Sequence, residues 1–170
     1  MKFAILRNGS IILPPLPKWP AEGRAFVFIH EAHAAITKHS PNCVFSGQKD
    51  MRFIVVPHSA LKEVIAWTLR LQNQLGGFIS ESRDCDDFAD AFDCAVSWMA
   101  AKARISAAPL VGNISVRQVQ SFAGVPQGGG HALNCVMTDQ GLYIVEPQNG
   151  QACHIDEYPN RASIFAADGF

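Results

Sequence analysis

The sequence contains no long apolar run, no paired-cysteine motif and almost no net charge, and each absence removes a class of function. Nothing in it approaches the roughly 20 consecutive apolar residues that a membrane-spanning helix needs. The apolar start from Phe3 to Leu6 is broken by Arg7 and Asn8 and is too short for a secretory leader. A cytoplasmic chain without a membrane partner is therefore expected, with export as the open alternative, because a protein already stripped of its leader would read the same. Fourteen Lys and Arg against fifteen Asp and Glu leave a net charge of −1. No basic stripe is available to neutralise phosphates, so no nucleic-acid partner is expected. The five cysteines, Cys43, Cys85, Cys94, Cys135 and Cys153, have no C-x-x-C spacing. That argues against a disulfide framework and a zinc ribbon, and the odd count leaves at least one thiol free. Internal repeats and low-complexity blocks are also absent.

What is there is a globular composition. Hydrophobic residues make up 48% and charged residues 17% of 170 residues, enough to bury a sizeable core in one domain spanning 1–170. The first part, 1–77, carries no assignable pattern; the part from 78 to 170 carries the motifs. Asn8-Gly9 between short apolar runs predicts a hairpin, and Pro14, Pro15, Pro17 and Pro20 impose an extended segment. Phe26 to Ile29 reads as a strand, Glu31 to Lys38 as a short helix, and Met51 to Val56 as a second strand closed by Pro57. Ser59 caps a helix whose apolar spacing runs to Gly76-Gly77. Asp84 caps another, with Phe88, Phe92, Ala95, Val96 and Met99 on one stripe to about Ala103. Ile114 to Phe122 is a further expected strand. His131 to Met137 and Leu142 to Glu146 then form a hairpin around Thr138-Asp139-Gln140-Gly141. Helices first and paired strands later predict an α+β fold.

Three segments carry chemistry: Asp84-Cys85-Asp86-Asp87-Phe88-Ala89, Gly130-His131-Ala132-Leu133-Asn134 and Val145-Glu146-Pro147-Gln148. A nucleophilic thiol is helped by the unpaired N–H groups of a helix start, where Cys85 falls. It also needs an imidazole, and the imidazole needs a polar group to fix its ring. If Thr138 and Gly141 flank a two-residue loop, His131 faces Gln148 and Leu133 faces Glu146. A shift by two brings His131 opposite Glu146 instead.

A cysteine opening a helix, a histidine opening a strand and a polar orienter on the next strand is the order of papain-like enzymes. More narrowly, C-D-D-F-A, G-H-A-L-N and V-E-P-Q-N-G resemble the protease-like domain of the family related to the Marasmius oreades agglutinin. The resemblance covers roughly the last half of the chain. It implies a papain-like cysteine protease fold, with the cysteine helix packed against an antiparallel sheet. It implies Cys85 as nucleophile, His131 as base and then acid, Glu146 as orienter and Gln148 as a further polar group. The function implied is hydrolysis of a peptide or isopeptide bond in a peptide or protein substrate through a thioester. Papain's glutamine before its cysteine has no near counterpart here, since Gln72 and Gln74 lie further upstream. Lectin repeats are absent as well.

Competing readings accompany these residues. Cys85 three positions before Phe88 is ordinarily a small core residue, and a histidine after Gly128-Gly129-Gly130 is ordinarily an edge-strand side chain. Asp84, Asp86 and Asp87 would raise a neighbouring thiol's pKa. They are more often capping residues than metal ligands, although Asp86 and Asp87 could hold a calcium ion, the one cofactor that the sequence suggests. His30-Glu31-Ala32-His33 lacks the four-residue spacing of a zinc motif. Trp19, Trp67 and Trp98 are expected in the core or lining a pocket. The alternatives to hydrolysis are a non-catalytic binding or assembly domain of this fold, and an acyl transferase or deamidase.

Overall fold

The computed structural model describes residues 15–20, 25–46, 52–75 and 84–169. The hairpin expected around Asn8-Gly9 and the helix stop at Gly76-Gly77 lie outside them. The expected papain-like arrangement, a helix over an antiparallel sheet, is corrected by the topology. Six strands form one mixed sheet in the order β2-β8-β4-β5-β6-β7, and two more form a separate ribbon, β1-β3. The strands are β1 (Phe26–Phe28), β2 (Val44–Ser46), β3 (Arg52–Ile54), β4 (Val111–Arg117), β5 (Gly130–Thr138), β6 (Gly141–Val145), β7 (Ala152–His154) and β8 (Ile164–Asp168). β2 runs parallel to β8, whereas the other pairs are antiparallel. A parallel pair needs a long crossover, and the chain supplies it with everything between Ser46 and Ile164, including two helices.

The helices follow their apolar spacing. α1 (Ile29–Thr37) buries Ile29, Ala32 and Ile36, and Glu31 reaches back to accept the Phe28 N–H at 3.1 Å. α2 spans His58–Leu75 and α3 spans Cys85–Lys102. Phe88, Ala89, Phe92, Ala95, Val96, Met99 and Ala100 of α3 are buried, one stripe at 3.6-residue spacing. Asp84 sits at the cap in extended conformation, and its N–H donates to Asp87 Oδ2 at 3.3 Å.

Two apolar clusters lie on the two faces of the large sheet. One joins Leu133, Cys135, Met137, Ile114, Val116 and Ile144 with α1 and Tyr158. The other joins Val111, Val136 and Val145 with α2, α3 and Trp19. This alternation is the two-residue period of a strand buried on both sides. Trp19 and Trp67 are core residues, as expected, whereas Trp98 is 39% exposed.

Candidate functional site

The β5–β6 hairpin fixes the geometry of the candidate residues. Thr138 pairs with Gly141 and Asn134 with Val145. Continued outward, this register sets Leu133 against Glu146 and His131 against Gln148, the first of the two that the sequence allowed. The approach to β5 passes through Gly128 and Gly129 at φ of +106° and +80°, a backbone region that side chains rarely enter. His131 Nε2–H donates to Glu146 Oε2 at 2.5 Å, with the two side chains 7% and 0% exposed. Glu146 Oε1 accepts the Gln148 N–H at 3.0 Å. Both carboxylate oxygens are thereby bonded, as a buried carboxylate requires. Gln148 enters through its backbone; among the described residues its side chain makes no hydrogen bond. Tyr158 packs behind the pair, edge-on to Phe122 at 4.9 Å. Burial, with Glu146's charge adding to it, pushes its hydroxyl pKa up.

Cys85 opens α3 and is half-buried. The relation of α3 to His131 follows from strand alternation. Asn134 donates to the Ala89 carbonyl of α3 at 2.9 Å, so α3 lies on the Asn134 face of β5. His131 shares the opposite face with Leu133 and Cys135. The body of α3 at Ala89 and the His131 imidazole therefore belong to different faces of β5, while Cys85 stands at the start of the helix and His131 one residue after the start of the strand. Among the described residues no hydrogen bond involves the Cys85 thiol. Of the four candidate residues, the structure joins His131, Glu146 and the Gln148 backbone, and sets Cys85 at the start of α3.

Asp84, Asp86 and Asp87 shape the start of α3. A hydrogen bond with Asp86, then burial and the charges of Asp86 and Asp87, raise the Asp84 pKa. Among the described residues no group of three or more His, Cys, Asp or Glu side chains is arranged to hold a metal. His30 and His33 separate: His30 stacks on Phe28 at 5.7 Å and His33 on Phe45 at 3.9 Å. Burial, then the nearby His30, lowers the His33 pKa. Cys135 is fully buried and bonds to the Gly112 carbonyl at 3.6 Å.

Asn134 is the residue that sequence reasoning passed over. It is fully buried, and besides Ala89 it donates to Asn113 Oδ1 at 2.8 Å; Asn113 in turn donates to Asp90 at 2.7 Å. This chain pins the first turns of α3 to two strands. The available signal was an amide at an inward position of the strand after the Gly-His pair. A second polar network joins α1 to the 3-10 turn Ile155–Glu157, where Asp156 accepts from Lys38 at 2.9 Å and from His39 at 2.7 Å.

No protein-family model and no curated protein matches the chain. Solved structures do. The complex of PSL1a with E64 superposes with a TM-score of 0.61 at 21% identity, covering 85% of this chain and 50% of that one. The Polyporus squamosus lectin, bound to Neu5Acα2-6Galβ1-4GlcNAc, gives 0.62 at 19% identity, covering 85% and 49%. The chain thus spans about half the length of these lectin chains, and the likeness shows a shared fold. This overturns the assignment to a papain-like protease domain. The neighbours are lectins, so the reading as a cysteine hydrolase with a catalytic triad is withdrawn.

Proposed function

We propose that this chain is a non-hydrolytic binding domain, with a glycan as its ligand class. The observation that carries the reading is the superposition of 85% of the chain on lectin structures. Two features of the candidate site support it. The His131–Glu146 pair is closed on itself and buried, which suits a structural clasp holding the mouth of a ribbon. The Cys85 helix lies on the other face of β5, where Asn134 anchors it. In this reading Cys85, His131, Glu146 and Gln148 carry out no bond cleavage. Asp86 and Asp87 are proposed to bind calcium only if chelation changes the melting temperature, and identical melting with and without chelator removes that idea.

The test is a paired measurement on the whole chain. Binding to Neu5Acα2-6Galβ1-4GlcNAc and to neutral Galβ1-4GlcNAc is followed by calorimetry, and turnover of a fluorogenic peptide library is followed beside a Cys85→Ala control. The expected result is saturable binding to one of the saccharides and no turnover above the control. Cys85-dependent turnover, or no saccharide binding at millimolar concentration, would overturn the reading.

A further inference from the structure

β1 follows strict alternation. Val27 is 5% exposed and points into the core, while Phe26 and Phe28 are 47% and 48% exposed. Two phenyl rings of a three-residue strand therefore face solvent about 7 Å apart along the chain. Burying each would be favourable, so a pair left out on one face is an unusual use of apolar surface. Arg52 stands opposite Phe28 in the ribbon, and its guanidinium lies 4.4 Å from the centre of the Phe26 ring. The imidazole of His30 continues the row, stacked nearly parallel on Phe28 at 16°. Among the described residues no carboxylate pairs with Arg52. Glu31, three residues from Phe28, is turned to the Phe28 backbone.

We propose that this outward face of the β1–β3 ribbon seats an acidic sugar, an inference that rests on the glycan-binding reading above. The chemistry of the row selects the ligand. An aromatic face is negative above its centre and attracts the weakly positive C–H face of a pyranose ring. Phe26 and Phe28, each about half exposed, offer such aromatic surface in line, one face of Phe26 being taken by Arg52 and one of Phe28 by His30. A guanidinium held beside them by its cation–π contact is pre-oriented for a bidentate carboxylate. An apolar peptide would use the rings but leave the cation without a counter-charge. A polyphosphate would use the cation but not the rings. A carboxylate-bearing sugar uses both.

The experiment compares Neu5Acα2-6Galβ1-4GlcNAc with neutral Galβ1-4GlcNAc by ligand-observed NMR and calorimetry. The proteins are the whole chain, Phe26→Ala, Phe28→Ala and Arg52→Gln, each first checked for an unchanged circular dichroism spectrum and melting temperature. The acidic saccharide should bind roughly tenfold tighter than the neutral one, the worth of one charge-assisted contact. Arg52→Gln should remove that preference, the two saccharides then binding with equal affinity. Either phenylalanine variant should weaken both saccharides by roughly tenfold. If saccharide binds with the same affinity in all four proteins, the location is wrong while the glycan reading stands. If neither saccharide binds the unaltered chain, both fail. If an acidic peptide binds through the same three residues and the saccharides do not, the sugar assignment is overturned.

Discussion

Glu146→Ala removes a fully buried carboxylate from two hydrogen bonds at once, those from His131 Nε2 and the Gln148 N–H. The imidazole it leaves behind is only 7% exposed, so water cannot easily replace the lost partner. Deleting the carboxylate leaves two buried donors without their acceptor, at about 1–3 kcal/mol each. For a chain of 170 residues, each kcal/mol is worth about 2–4 °C, so the melting temperature should fall by roughly 10 °C. Glu146→Gln keeps an acceptor for Gln148 and a polar neighbour for His131, and should cost only about 1–2 kcal/mol. Urea unfolding followed by the fluorescence of buried Trp19 and Trp67 measures all of these. In a double-mutant cycle, His131→Ala and Glu146→Ala together should cost well under the sum of the two. A loss below about 1 kcal/mol for Glu146→Ala, or strict additivity with His131→Ala, would refute the clasp.

Three further outcomes are expected. Burial holds the thiols of Cys43, Cys94 and Cys135 above their ordinary range and pushes Cys153 up to about 11. Iodoacetamide at pH 8, read by peptide mass spectrometry, should therefore label Cys85 first, and faster labelling of Cys135 would contradict its burial. Gly150→Ala should destabilise by about 1–3 kcal/mol. At φ +78° a Cβ there would stand 2.6 Å from Leu69 and 2.7 Å from Ile65 of α2, so a neutral result by urea unfolding would mean that the turn moves freely. The hydrogen bonds from Lys38 and His39 hold the Asp156 carboxyl below its usual range. A lowered carboxylate contributes stability that is complete above its unfolded value near 3.8 and fades as pH falls through the folded one. Asp156→Asn should thus melt below the unaltered chain at pH 6 and together with it near pH 2, and an equal gap at both would refute the link.

Legibility in the sequence followed the range over which each signal acts. α3 was readable because its cap and apolar stripe are local: Asp84 and the run from Phe88 to Met99 stand where the spacing puts them. The β5–β6 hairpin was readable because a two-residue loop fixes its register, and the Thr138↔Gly141 pair sets the rest. The same register brought His131 and Glu146 together. β2 and β8 escaped, since three residues such as Val44–Ser46 carry no periodicity, and their pairing depends on a partner far along the chain. The face on which α3 lands was illegible for a different reason. Spacing identifies a helix start but not the face of the sheet on which the helix lands, and here Asn134 decides it. The hydrolase assignment rested on residue order and on the likeness of C-D-D-F-A, G-H-A-L-N and V-E-P-Q-N-G to a protease-like domain, short motifs that do not fix a function by themselves.

β8 lies between β2 and β4. Since β2 is made early and β8 late, the newborn chain carries a stranded β2 throughout most of its synthesis, and an unzipped edge on β4 from the time that strand emerges. Closure of the sheet is then a loop-closing event spanning most of the molecule, the kind that slows folding and leaves time for wrong partners. Yield of correctly assembled protein should depend on how long that slot stays empty, so slower translation or chaperone supply would matter more here than for a sheet built from successive hairpins.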